Sequence, residues 1–133
     1  MRKKEFFMSK AAIVIQKAPA ALGPYSAGVV SNGSINVSGQ LGLDPATGAL
    51  AGDDIRAQTR QSLTNISTIL AAGGASMADV VETTVLLADI ADFAAMNEVY
   101  AEFFEAPYPA RAAFQVAALP AGAKVEIKAV ARV

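Results

Sequence analysis

The segment Asp79–Leu87 constrains this chain more than any other. Val80, Val81, Thr83, Thr84, Val85 and Leu86 make a β-branched, apolar run that suits a buried strand. Successive side chains of a strand point to opposite faces, so a run apolar at both parities needs cover on both sides. Helical patterns on either side of it in sequence supply one cover. For the other, copies of the same chain are the simplest candidate. Composition agrees: 133 residues with 53% hydrophobic and 17% charged are richer in apolar groups than a typical globular domain. A single globule of this length has limited interior, which leaves apolar surface for a subunit interface.

Other segments fill in the architecture. Ala11–Ile15 reads as a short first strand, followed by a loop over Ala18–Tyr25 that two prolines and a glycine punctuate. Ser26–Val30 and Ile35–Ser38 flank Asn32-Gly33, the strongest short hairpin signal, because both residues tolerate positive φ. After a Gly39–Gly52 loop, Asp53 or Asp54 is a fitting N-cap for a helix that Gly73-Gly74 closes. Leu63, Ile66 and Leu70 give it one apolar stripe. Asp89 reads as the N-cap of a second helix, whose stripe Phe93, Met96, Tyr100 and Phe103 reads as core and which Pro107 and Pro109 end. Strands near Ala112–Val116 and Lys124–Val133 close the chain. The order predicts one α+β domain over 11–133 with both helices on one face of the sheet.

What the chain lacks narrows its chemistry. Without Cys there is no thiolate nucleophile or Cys-based zinc site; without His there is no Ser-His-Asp triad, imidazole base or His-ligated metal. No cofactor and no metal is expected. A formal net charge of −1 with scattered basic residues argues against nucleic acid as a partner. No run of 18 apolar residues exists, so no membrane partner is expected. Residues 1–10 read as an N-terminal extension; Arg2-Lys3-Lys4 has no apolar h-region after it, and Met8 is an equally good start. The expected location is the cytoplasm.

Several residues could carry chemistry with what remains. In the last strand Val125, Ile127, Ala129 and Ala131 share one parity and Glu126, Lys128, Val130 and Arg132 the other, so Glu126 points away from the helices. On periodicity alone it is equally an ordinary solvated carboxylate. Arg111, after Pro109-Ala110 at the start of a strand, is placed for bidentate carboxylate binding, or is simply a surface arginine. Tyr25 follows Gly23-Pro24 and could orient a ligand or pack in its loop. Ser38-Gly39 at a strand end offers a hydroxyl beside a residue that allows close backbone approach. Asn97 lies off the apolar stripe of the second helix, where by itself it is a solvent-facing amide.

Taken together, these segments resemble the RidA/YjgF family. The likeness rests on Gly23-Pro24-Tyr25-Ser26, Ser38-Gly39-Gln40, the helix Gln58–Asn65 and Asp92–Asn97. Most specific is Pro107-Tyr108-Pro109-Ala110-Arg111 followed by Leu119-Pro120 and Val125-Glu126-Ile127. The resemblance implies a chorismate-mutase-like α+β fold, a mixed sheet with two helices on one face, and a homotrimer whose sheets face inward. It implies hydrolysis of reactive 2-imino acids, such as 2-iminobutanoate and 2-iminopropanoate, to 2-keto acids and ammonia in clefts between subunits. Arg111 would then grip the substrate carboxylate and Glu126 position or activate the attacking water, with Tyr25, Ser38, Gly39, Asn97 and Ala113 lining the cleft. Ala113 departs from the family, many of whose members carry Cys there. Two other readings compete: a non-catalytic module that captures a small carboxylate and needs Arg111 but not Glu126, and an RNA-cleaving protein, which the acidic balance disfavours.

Overall fold

A computed structural model describes residues 9–15, 21 and 23–133. The N-terminal extension up to Met8 and Ala18, Pro19, Ala20 and Leu22 of the expected loop lie outside the described residues. The strands are β1 (Ala11–Ala12), β2 (Gly28–Ser31), β3 (Ser34–Leu41), β4 (Val80–Leu87), β5 (Ala110–Gln115) and β6 (Val125–Arg132); the helices are α1 (Ile55–Ala72) and α2 (Phe93–Tyr100). The strands form one mixed sheet in the order β1-β2-β3-β6-β4-β5. Among the described residues only the β4–β5 pairing is parallel, and the crossover through α2 supplies the length a parallel connection requires.

Local sequence accounts for the turns. Asn32 (φ 51°) and Gly33 (φ 78°) both take the positive φ that a tight hairpin between β2 and β3 demands. Asp54 is the N-cap of α1 and accepts a hydrogen bond from Ala57 N at 2.8 Å. At the other end Gly74 (φ 86°) turns the chain, and Ala75 N donates to Leu70 O at 2.8 Å. Asp89 does not cap α2. Its carboxylate accepts from Ala91 N and opens a 3₁₀ turn over Ile90–Asp92, and the α-helix begins only at Phe93. The first strand is shorter than expected, with only Ala11 and Ala12 paired to β2.

The register puts Ile35 and Val37 of β3, Ile127, Ala129 and Ala131 of β6, and Thr83 and Val85 of β4 on the same face. All are buried under α1, which contributes Leu63, Ile66, Ile69 and Leu70, and under Met96 of α2. At about 25 cal/mol per Å² of apolar surface removed from water, this single layer is the main stabilising term of the fold. The opposite face carries Thr84, Leu86 and Val130, half-buried, with Phe114 exposed on β5. No helix covers it among the described residues. None of the helices is long and apolar enough to cross a membrane, among the same residues.

A buried polar seam completes the packing. Gln58 Nε2 donates to Gly52 O and Gln58 Oε1 accepts from Lys124 N, each at 2.8 Å. Ser62 Oγ donates to Gln40 O at 2.7 Å and Asn65 Nδ2 to Leu43 O at 2.9 Å. These bonds staple α1 to β3, to the loop after it and to the residue before β6, and satisfy backbone groups that burial would otherwise strand.

The loop passes close against the helix at Gly42, where a Cβ would run into the backbone of Gln58. Main chain on both sides leaves no flexible group to yield. Replacing Gly42 with Ala is expected to lower unfolding free energy by about 1–3 kcal/mol, read from the denaturant midpoint. An unchanged midpoint would show that the loop and helix separate freely.

Candidate functional site

Arg111 lies on β5, the edge strand, directly beside Thr83 of β4 in the parallel ladder. It therefore faces the helix side of the sheet, at the rim where α2 passes. Phe93, Asn97 and Tyr100 are spaced by 4 and 3 residues, which puts them on one face of that helix. That face meets the guanidinium. Arg111 Nη1 donates to Asn97 Oδ1 at 2.8 Å, while its Cζ sits 4.7 Å from the centroid of the Tyr100 ring and 5.6 Å from that of Phe93. Both separations allow cation–π attraction. Asn97 is thus a guanidinium anchor, not the free amide its isolated sequence position suggests.

A cavity of about 300 Å³ opens here, lined by Asn97, Tyr100, Ala101, Tyr108, Pro109 and Arg111. Its size suits a small metabolite. One guanidinium edge is occupied by Asn97, and the remaining donors can take a carboxylate. A second cavity of about 320 Å³, lined in part by Pro107 and Pro109, has only Glu105 as a charged lining residue, so it lacks a cation for such a ligand.

The aromatic stripe expected to be core divides. Met96 and Tyr100 are buried, Phe103 is half-buried, and Phe93 is 36% exposed. Even the buried Tyr100 has a polar assignment, because its hydroxyl shares a 2.7 Å hydrogen bond with Thr83 Oγ1. Desolvation pushes its phenol pKa up, while the bond to Thr83 and the nearby Arg111 pull it back. Sequence reasoning left Tyr100, Phe93 and Thr83 out of the site. The available signal was the 93/97/100 spacing, which aligns two aromatics with the amide.

Glu126 belongs to a different neighbourhood. It pairs with Leu86 across β4–β6 and points to the face opposite the helices, half-buried, where burial raises its carboxyl pKa. Between Val37 and Gln40 the register of β3 shifts against β6, so Ser38 and Gly39 oppose Lys128 as a bulge. The bulge brings Gly39 against Glu126, and any Cβ on Gly39 would collide with that carboxylate. Ser38 Oγ, in the same bulge, donates to Ser26 O at 2.6 Å. Tyr25 is 51% exposed in the loop leading to β2. Ala113 is half-buried, packed against the core beside Val85, and brings no polar group.

Two half-sites result. Arg111 and Asn97 lie together on the helix side of the edge strand; Glu126, Gly39 and Ser38 lie together on the other side of the sheet. Within one chain the sheet separates them.

The chain matches the model of a family described as Endoribonuclease L-PSP over residues 15–133. A relative from Capra hircus named 2-iminobutanoate/2-iminopropanoate deaminase is 55% identical over 115 residues, covering 86% of this chain and 84% of its own. The crystal structure of RidA from the Antarctic bacterium Psychrobacter sp. PAMC 21119 superposes with a TM-score of 0.89 at 46% identity, covering 92% of this chain and 99% of that one. The structure of E. coli TdcF with bound serine gives 0.89 at 42% identity, over 92% and 98% of the two chains.

The Arg111–Asn97 contact can be tested by charge. Asn97→Asp is nearly isosteric but puts a carboxylate on the guanidinium, which then has its counterion from within the chain. Affinity for a short 2-keto acid, measured by calorimetry, is expected to fall by roughly tenfold or more with the fold intact. Equal affinity would place the carboxylate elsewhere.

Proposed function

Since the chain belongs to the Endoribonuclease L-PSP family, we propose that it is an enzyme that hydrolyses 2-iminobutanoate and 2-iminopropanoate to 2-keto acids and ammonia. The observation that carries this reading is the Arg111 guanidinium, held by Asn97 over Tyr100 at the rim of a metabolite-sized cavity. It is a carboxylate receptor, and every substrate of this class bears a carboxylate next to the reacting carbon.

The reading needs both half-sites, so it also needs two chains. Arg111 and Asn97 of one subunit face Glu126, Ser38, Gly39 and Tyr25 of the next, in a chorismate-mutase-like homotrimer whose sheets face inward and bury their helix-free sides. The open face with Leu86, Phe114 and Val130 supports this arrangement, because it supplies the apolar surface an interface requires. Ala113 then lines the cleft through its backbone. The same reading puts the protein in the cytoplasm, with no nucleic acid as partner.

The chemistry follows from the residue set. Water adds to the imine carbon, its oxygen bonding to C2 as the C=N pair moves to nitrogen. Glu126 accepts the proton released by the water and returns it to that nitrogen. Collapse of the carbinolamine then moves its hydroxyl proton through Glu126 to the amine nitrogen, forms the carbonyl as the C–N bond breaks, and releases ammonia. An imine carbon is electrophilic enough for positioning plus one base, the base contributing about 10²–10⁴-fold.

Glu126 must be ionised to act as base. With substrate bound, the Arg111 charge is matched by the substrate carboxylate, which leaves burial as the dominant influence on Glu126. The acid limb of kcat is therefore expected above the ordinary carboxylate range, turnover falling as pH drops through it.

The direct test couples the protein to a threonine dehydratase, which releases the imines in place, and follows 2-keto acid formation. Wild type is expected to accelerate it and Arg111→Ala is not. Glu126→Gln is expected to lose turnover and keep 2-keto acid binding. Binding without turnover in wild type would favour a carboxylate-capturing module instead.

A further inference from the structure

We propose that Tyr100, locked through its hydroxyl to Thr83, is the positioning residue that sets the Arg111 guanidinium for carboxylate binding. The inference rests on the reading above only in taking Arg111 as the carboxylate receptor.

Arg111 sits exposed on an edge strand, where a long side chain has wide rotamer freedom. Asn97 holds one nitrogen and cannot by itself fix the plane of the group. The Tyr100 ring, 4.7 Å away, gives the guanidinium a face to lie against. The ring is in turn fixed from two sides. Phe104 packs on it at 4.7 Å between centroids with a 38° interplanar angle, and Thr83 Oγ1 holds its hydroxyl at 2.7 Å. Thr83 is 1% exposed, so this bond is shielded from water. It is also the ladder partner of Arg111, so the same row of β4–β5 locates the arginine and the anchor of its platform. A hydroxyl placed in an otherwise apolar buried run has its use here.

If Tyr100 were merely core, deleting its hydrogen bond would lower stability and leave ligand affinity alone. Thr83→Val and Tyr100→Phe remove the bond from either end while keeping shape. Each is made singly and together, and Thr83→Ser restores the hydroxyl. The readouts are the Kd for 2-ketobutanoate by calorimetry, KM and kcat in the coupled assay, and Tm.

Each single variant is expected to raise Kd and KM by roughly three- to tenfold, the size of one lost buried hydrogen bond, with kcat within about twofold. The double variant is expected to be no worse than the worse single, because both delete one interaction. Thr83→Ser is expected to return to the wild-type values. Unchanged Kd and KM with a lowered Tm would overturn the inference, and so would fully additive effects. A wild type that binds 2-ketobutanoate without turnover would sink the deaminase reading while the Kd series still decides the role of Tyr100. A wild type that neither binds nor turns over would overturn both.

Discussion

The placement of β4 governs this structure. It lies between β6, antiparallel, and β5, parallel, and its side chains alternate between two unlike environments. Thr83, Val85 and Leu87 enter the layer under the helices, while Thr84 and Leu86 face the side that no helix covers among the described residues. The parallel pairing forces the chain to cross over the sheet before it can start β5, and α2 makes that crossing. The helix consequently ends up beside the strand that carries Arg111. The surroundings of Arg111 are a product of the topology: the crossover brings an amide and two aromatic rings to this cationic side chain at the sheet edge.

The same sheet divides the chemistry. The Arg111 guanidinium and the half-buried Glu126 carboxylate face opposite ways. Burial raises the pKa of Glu126. Gly39 leaves the room that the carboxylate occupies, and the bulge at Ser38-Gly39 brings the backbone there. An interface that seats the outer face of one subunit against the edge of the next would serve both the apolar surface and the divided site at once.

Much of this was legible in sequence, for identifiable reasons. Asn32-Gly33, Asp54 and Gly73-Gly74 act through local backbone preferences, and each turn or cap formed where those preferences place it. The alternation Val125–Arg132 depends only on the two-residue repeat of a strand, so the orientation of Glu126 could be read directly. Tertiary contacts were less accessible. Asp89 was assigned to α2 because a capping carboxylate looks the same before a 3₁₀ turn as before an α-helix. The stripe Phe93, Met96, Tyr100 and Phe103 looked uniform because spacing reveals a face and not what lies opposite it. Gln58, Ser62 and Asn65 are buried because the chain around β3 folds back onto the helix, a contact that helical spacing does not reveal.

The central claim is that one reaction centre draws Arg111 and Glu126 from different chains. It is tested most directly by complementation. Arg111→Ala and Glu126→Gln proteins, each inactive, are mixed in equal amounts, unfolded and refolded together to exchange subunits, and assayed for imine hydrolysis. A cyclic trimer with random assembly has one intact receptor facing one intact base at about a quarter of its clefts, and the account predicts recovery toward that share of wild-type activity. A mixture that assembles fully yet stays as inactive as its components would contradict it.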